Sequence, residues 1–163
     1  MSVIDGLLAN NERYAAGHRP GHVPINPAKR LVVVACMDSR LDLFAALGLD
    51  LGDAQVLRNA GGVVTDDVIR SLAISQRLLG TEEIALIHHT DCGMQKFSDD
   101  EMSARIHGET GIRPPFAMEA FDDLDADVRA SIARIQESPF IPRKESVRGF
   151  VFDVDTGTIR EVT

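Results

Sequence analysis

Two cysteines and one histidine are the residues of this sequence best suited to hold a metal ion. Cys36 and Cys92 are its only cysteines, and His89 precedes Cys92 by three positions. Two thiolates and one imidazole leave the fourth tetrahedral position of zinc for water or another ligand, as in catalytic zinc sites. Taken singly, each signal is also typical of a buried apolar cysteine or a chance His-x-x-Cys. The combination predicts a Zn²⁺ site, with a redox pair of cysteines as an alternative.

Asp38 and Arg40 follow Cys36 closely enough to act on whatever that cysteine binds. A carboxylate beside a metal either takes the fourth ligand position or turns away to pair with the forked guanidinium of an arginine. Without Cys36 nearby, a helix N-terminal acid in a surface ion pair would be the better interpretation. We therefore expect Asp38 and Arg40 to be catalytic, with Asp38 also a conditional fourth metal ligand in a closed state.

The other histidines are not predicted to belong to the site. His88 adjoins His89, but successive strand residues point to opposite faces, so we expect His88 to pack in the protein instead. Asp66 and Asp67 suit the first turn of a helix and are also left out. Nothing in the sequence orients the remaining histidines as proton shuttles; these are His18, His22 and His107.

Hydrophobic runs place the three metal-binding residues at the ends of buried strands. Residues 31–36 and 84–89 are continuous apolar runs, typical of parallel strands covered by helices on both faces. Residues 54–58 predict a strand between them, and the alternation with helices predicts an α/β protein with a right-handed parallel sheet. Ligands bind such sheets where the carboxyl ends of strands meet. Cys36, His89 and Cys92 converge there if the first and third strands are neighbours.

The length of 163 residues fits a single domain, which we divide into three segments. Residues 1–30 are predicted to form an N-terminal amphipathic arm and linker, and residues 31–94 the metal-binding core. Residues 95–163 are predicted to supply helices and a C-terminal strand or hairpin turning near Asp155-Thr156-Gly157. Helices are predicted at residues 41–47, from the N-cap Thr65 to Gly80, at residues 99–106 and from Leu124 through Ile135.

Composition narrows the classes of partner. The hydrophobic fraction of 44% and charged fraction of 26% are those of a globular protein. The formal net charge of −8 disfavours nucleic acid and anionic membranes. The sequence shows no signal peptide and no apolar run of membrane-spanning length, so we expect a cytoplasmic protein.

Three short motifs resemble those of the β-carbonic anhydrases. Cys36-Met37-Asp38-Ser39-Arg40 matches the family's Cys-x-Asp-x-Arg element, and His89-Thr90-Asp91-Cys92 matches its His-x-x-Cys element. Arg58-Asn59-Ala60-Gly61 matches the turn between them. The resemblance implies a parallel sheet of order 2-1-3-4 with an additional edge strand, flanking helices and an N-terminal helical arm. It also implies that the arm packs on the partner in a homodimer or dimer-based oligomer.

The same resemblance implies a function: zinc-dependent, reversible hydration of carbon dioxide to bicarbonate and a proton. Paired with Arg40, Asp38 would orient the attacking hydroxide, whereas Asp38 on the zinc would close the site. Gly93 is a candidate substrate-binding residue, because a glycine leaves room for a backbone amide to approach. Two alternatives stay open: a carbonyl sulfide or carbon disulfide hydrolase on the same zinc site, and a non-catalytic binding module stabilised by a closed zinc site.

Overall fold

A five-stranded sheet forms the centre of the computed structural model, which describes residues 2–18, 21 and 23–163. The strands are β1 (Leu31–Cys36), β2 (Ala54–Asn59), β3 (Glu83–His89), β4 (Val147–Phe152) and β5 (Ile159–Val162). Their order is β2-β1-β3-β4-β5; the first four are parallel, and β5 is antiparallel to β4. The structure confirms the predicted α/β class and the order 2-1-3-4 with an additional edge strand.

In the described part of the chain, five α-helices and one short 3₁₀ helix accompany the sheet. They are α1 (Val3–Gly17), α2 (Leu43–Leu47), α3 (Asp66–Leu78), the 3₁₀ turn Gly93–Gln95, α4 (Asp99–Thr110) and α5 (Leu124–Glu137). Among the described residues, no helix combines the length and the apolar character needed to cross a membrane. The predicted arm and linker include Met1, Arg19, Pro20 and His22, which lie outside the described residues.

The start of α2 and the end of α4 differ from the sequence-based expectation. The α2 helix begins at Leu43, two residues later than predicted, because the Asp42 side chain caps it by accepting a hydrogen bond from the amide of Ala45. The α4 helix runs four residues further than predicted, to Thr110. It ends at Gly111, which has a left-handed φ of 74°. The residues after Ile106 carry no apolar periodicity, so the pattern did not predict this last turn.

Strand β1 is the most deeply buried element near the predicted metal ligands. Val32, Val33, Val34 and Ala35 are all completely shielded from solvent. Val33 and Ala35 pack into the hydrophobic cluster on one face, and Val32 and Val34 pack into the cluster on the other. Burying a valine side chain contributes roughly 1.5–3 kcal/mol, so this packing holds the strand in one register. Cys36 is thereby placed at the carboxyl edge of the sheet.

Candidate metal centre

Cys36, His89 and Cys92 meet at the carboxyl edge of the sheet. Their ligand atoms all lie within 4.8 Å of one another, and all three residues are buried. Cys36 is the last residue of β1, His89 is the last residue of β3, and Cys92 directly precedes the 3₁₀ turn. Because β1 and β3 are neighbours, two candidate ligands separated by more than fifty positions in the chain come together.

The imidazole of His89 presents one nitrogen to this cluster. Its Nδ1 lies 2.9 Å from the carbonyl oxygen of Thr90, which can only accept a hydrogen bond, so Nδ1 carries the proton. Nε2 therefore has a free lone pair. It is buried and makes no hydrogen bond within the described part of the chain. Leaving a buried hydrogen-bond acceptor without a partner costs free energy. A metal ion would be a suitable partner for this nitrogen and the two neighbouring thiols.

The two cysteines are free thiols whose closeness makes them titrate unequally. A hydrogen bond from Cys92 lowers the pKa of Cys36, and the same contact, together with burial, raises the pKa of Cys92. Burial alone would lower the pKa of His89, but a protonated ring would donate a hydrogen bond to the nearby Cys36 thiolate and be attracted by its charge, which outweighs burial and raises that pKa. The cluster thus already favours one thiolate, and the donor set of two sulfurs and one nitrogen fits zinc.

Asp38 and Arg40 form a two-pronged ion pair beside the cluster. Nε of Arg40 donates to Oδ1 of Asp38 at 3.0 Å, and Nη2 donates to Oδ2 at 2.8 Å. The hydrogen bonds from the Arg40 side chain, followed by one from its backbone amide, hold the pKa of Asp38 well below its usual range. Oδ2 of Asp38 is also only 3.8 Å from Nε2 of His89. The carboxylate therefore borders the candidate metal ligands while it is held by the arginine.

Arg58 supports the loop that carries this pair, a role that the sequence analysis did not predict. Its guanidinium donates to the carbonyl oxygens of Cys36 at 2.9 Å, Asp38 at 2.5 Å and Leu41 at 3.1 Å. These three bonds tie the end of β1 to the loop that follows it. The only sequence signal for Arg58 was its place in the Arg-Asn-Ala-Gly turn.

Gly93, proposed as a substrate contact, begins the 3₁₀ turn immediately after Cys92. A β-carbon built on it would have no heavy atom within 4 Å, so packing does not require glycine at this position.

The predicted N-cap Thr65 does accept a hydrogen bond from the amide of Val68. Next to the cap, Asp66 pairs with Arg134 at 2.8 Å, as a first-turn acid in a surface ion pair.

His88 lies on the opposite side of β3 from the cluster. It is completely buried, and its Nε2 lies 2.7 Å from Oδ2 of Asp127 on α5. Its ring also packs against Phe121, with the ring centroids 5.6 Å apart. His88 is therefore a packed histidine that joins the strand to a helix, as the alternation along a strand predicted.

Comparison with known proteins agrees with this fold. A family model described as carbonic anhydrase matches residues 31–114. β-Carbonic anhydrase 1 of Mycobacterium tuberculosis is 57% identical over 163 residues, covering 100% of this chain and 99% of the relative. A crystal structure of carbonic anhydrase from Streptococcus mutans superposes with a TM-score of 0.94 at 46% identity, covering 100% of this chain and 99% of the other. The chain belongs to the β-carbonic anhydrase family.

Relatives with another named activity are more distant. A carbon disulfide hydrolase of Acidithiobacillus thiooxidans is 34% identical, covering 96% of this chain and 87% of the relative. The alternative of a sulfur-containing substrate therefore comes from within the same group of related proteins. The sequence identity of this hydrolase to the chain is well below that of the mycobacterial enzyme.

Proposed function

We propose that this protein is a carbonate dehydratase that interconverts carbon dioxide and bicarbonate at a zinc ion held by Cys36, His89 and Cys92. The observation that carries the proposal is the buried Cys-His-Cys cluster with a carboxylate-arginine pair at its side. Membership of the β-carbonic anhydrase family supports the same reaction. Zinc held by three protein ligands makes hydroxide available near neutral pH by lowering the pKa of water.

The three ligands set how that chemistry depends on pH. Two thiolates cancel the formal charge of the ion, so water is acidified less than by zinc held on three neutral histidines. We expect hydration activity to rise from neutral into alkaline pH. The hydrogen bond from Nδ1 of His89 to the Thr90 carbonyl leaves Nε2 as the nitrogen that would bind the ion.

Asp38 and Arg40 decide, in this proposal, whether the site is open. Paired with Arg40, the Asp38 carboxylate is positioned to accept a hydrogen bond from the nucleophile and aim its lone pair at carbon dioxide. Its oxygen is 3.8 Å from Nε2 of His89, so a small rotation away from Arg40 would bring it to the ligand cluster as a fourth ligand. Gly93 directly follows Cys92 and has no heavy atom within 4 Å of an added β-carbon, which supports its proposed role as a substrate contact.

Stopped-flow hydration of carbon dioxide, with and without removal of zinc by a chelator, tests the proposed function. We expect activity that increases with pH, disappears on chelation and returns with zinc. A zinc-replete protein without hydration activity from neutral to alkaline pH would contradict it and favour the non-catalytic binding module. Parallel assays with carbonyl sulfide and carbon disulfide separate the related hydrolases, and faster turnover of either would reassign the substrate.

We also propose that the protein is a homodimer in which α1 packs on the partner. The helix contributes no buried residue within the described part of the chain. It exposes a row of apolar side chains at helical spacing, including Val3 at 86%, Leu7 at 56% and Tyr14 at 61%. Apolar side chains of this kind stabilise a protein only when another surface covers them and removes them from water. On α3 and the loop after α5, Leu78 and Phe140 are exposed apolar residues that a partner's helix could cover.

Sedimentation velocity tests the dimer with two matched substitutions. Leu7→Asp places a charge in the apolar stripe, whereas Ala9→Asp places the same charge on the opposite side of α1. We expect Leu7→Asp to shift the protein to the mass of one chain and Ala9→Asp to leave the mass unchanged. A wild-type protein of monomer mass would overturn the proposal.

Because both metal-binding cysteines must stay reduced to act as ligands, we propose the cytoplasm as the place of action.

A further inference from the structure

Arg40 joins two carboxylates, although sequence reasoning assigned it only one. Besides its two side-chain bonds to Asp38, its Nη1 donates to Oδ2 of Asp91 at 3.1 Å. Its Nη2 also donates to the backbone carbonyl oxygen of Asp91 at 3.0 Å. The bonds to the two aspartates use different N–H groups of the guanidinium, which has five, so they do not compete for a hydrogen. Arg40 is therefore held on two sides at once.

Asp91 is itself held in place from outside. Nζ of Lys96 lies 2.9 Å from Oδ1 of Asp91, so each carboxylate oxygen has a cationic partner. Hydrogen bonds from Lys96 and then Arg40 lower the pKa of Asp91. Asp91 also stands between two metal ligands, His89 and Cys92, and has a left-handed φ of 51°. Aspartate and asparagine tolerate that conformation better than most residues. The carboxylate is thus anchored to the segment that binds the metal.

We propose that Asp91, braced by Lys96, is a positioning residue that holds Arg40 where it captures Asp38 and so favours the open form of the metal site. The inference rests on the gating role proposed for Asp38 and Arg40. Arg40 is 45% exposed, and a long exposed side chain loses rotamer freedom when it forms an ion pair. Asp91 fixes the guanidinium in advance, so pairing with Asp38 costs less entropy. Without Asp91, Asp38 spends more time on the metal.

Binding of thiocyanate to the cobalt-substituted protein, followed by visible absorption, measures the open fraction directly. An anion enters only when the fourth position is vacant, so the apparent Kd rises as the open fraction falls. Asp38→Ala serves as the permanently open reference. The titrations are made at a pH where wild-type protein binds thiocyanate about tenfold more weakly than Asp38→Ala, so that a shift in the equilibrium appears at nearly full size.

Asp91→Asn keeps the backbone conformation and removes the charge. We expect it to raise the apparent Kd for thiocyanate about two- to fivefold, the range of an exposed ion pair, with one cobalt ion still bound per chain. Lys96→Gln should act in the same direction with a smaller effect. Glu109→Gln is the control, because it removes one negative charge from the distant surface pair with Arg105. If Asp91→Asn acted only by removing a negative charge near the metal, thiocyanate would bind more tightly, which is the opposite of the expected rise in its apparent Kd.

The outcomes separate this inference from the gating proposal on which it rests. If Asp91→Asn binds thiocyanate as tightly as wild type or more tightly, the role of Asp91 is wrong. If it weakens binding equally in the Asp38→Ala background, Asp91 acts on the anion and not through Asp38, which also overturns the inference. If Arg40→Ala leaves thiocyanate affinity unchanged, or if Asp38→Ala binds no more tightly than wild type at any pH, the gate itself is wrong.

Discussion

Gly62 lies directly against the backbone of Cys36. A β-carbon at position 62 would be 2.8 Å from the amide nitrogen of Cys36 and 2.9 Å from the carbonyl carbon of Ala35. Both of these atoms belong to the backbone of β1, which cannot rotate away as a side chain would. Gly62 also has a φ of 73°, a conformation that other residues rarely adopt. The turn after β2 therefore approaches Cys36, a proposed metal ligand, at a distance that only glycine permits.

Gly62→Ala is accordingly expected to destabilise the protein and displace Cys36. We expect the free energy of unfolding to fall by about 2 kcal/mol or more, because backbone strain and a steric clash act together, and zinc affinity to fall with it. Urea denaturation and the zinc content after dialysis measure the two effects. Gly48→Ala is the matched control, since Gly48 has a φ of 62° but no heavy atom within 4 Å of an added β-carbon. Equal losses in the two variants would show that the contact with Cys36 does not matter.

Cys92→Ser should remove zinc while the chain stays folded. A serine hydroxyl does not ionise near neutral pH and cannot replace a thiolate, so we expect zinc affinity to fall by more than about 100-fold, beyond the usual cost of losing an outer hydrogen-bond partner of a ligand. Competition with a chelator gives the affinity, and circular dichroism reports the fold. Met94→Leu, another buried position in the same turn, should keep its zinc. Full zinc retention in Cys92→Ser would mean that Cys92 is a packing residue.

Arg40→Ala should lower carbon dioxide turnover at least about tenfold without loss of zinc, because Asp38 is freed to occupy the fourth ligand position. Arg40→Lys should restore little of the rate, since an ammonium group lacks the fork that bonds both oxygens of Asp38. Stopped-flow rates and metal analysis of the same samples test this. Arg105→Ala, which breaks a surface pair with Glu109, should keep wild-type turnover. Wild-type rates in Arg40→Ala would rule out the gate.

The carboxylate of Asp99 should make part of the stability depend on pH. It accepts hydrogen bonds from the amides of Met118 at 2.9 Å, Glu119 at 3.2 Å and Ala120 at 2.8 Å. The hydrogen bond from the amide of Ala120 is the largest effect that lowers the pKa of Asp99. Burial opposes it in part, and the other two hydrogen bonds lower the pKa further. A folded-state pKa below the unfolded one gives stability that is present above about pH 3.9 and is lost as the pH falls through the folded value.

Asp99→Asn should therefore lower the free energy of unfolding by about 1–2 kcal/mol near pH 7, and the difference from wild type should shrink below about pH 4. Urea denaturation at several pH values measures this difference. Asp100→Asn changes the neighbouring acid in the same first turn of α4, and should have little effect at either pH. A difference between Asp99→Asn and wild type that stays constant with pH would show that the charge of Asp99 is not what the amides bind.

Much of the site was predictable because its residues are tied to short-range patterns. The apolar runs that end at Cys36 and His89 predicted buried strands, and the alternation with helices predicted a parallel sheet. Parallel sheets bind ligands at their carboxyl edge, so convergence with Cys92 was expected if the first and third strands are neighbours, and that strand order came from the resemblance to the β-carbonic anhydrases. Asp38 and Arg40 were accessible for the same reason, because both lie within four residues of a ligand. Local chemistry at a strand end can be deduced without coordinates.

Only the tertiary structure showed which distant groups hold these residues in place. Arg58, on β2, donates to three carbonyls at the end of β1 and in the loop that follows it. Gly62 leaves space for the backbone of β1. Asp91 meets Arg40 across fifty-one positions of the chain. None of these contacts has a periodicity or spacing that a sequence displays, because each depends on where two segments lie after the sheet has formed. The residue types indicated a metal site and its candidate ligands, whereas the packing of separate segments decided how Arg40 and Asp38 are oriented beside them.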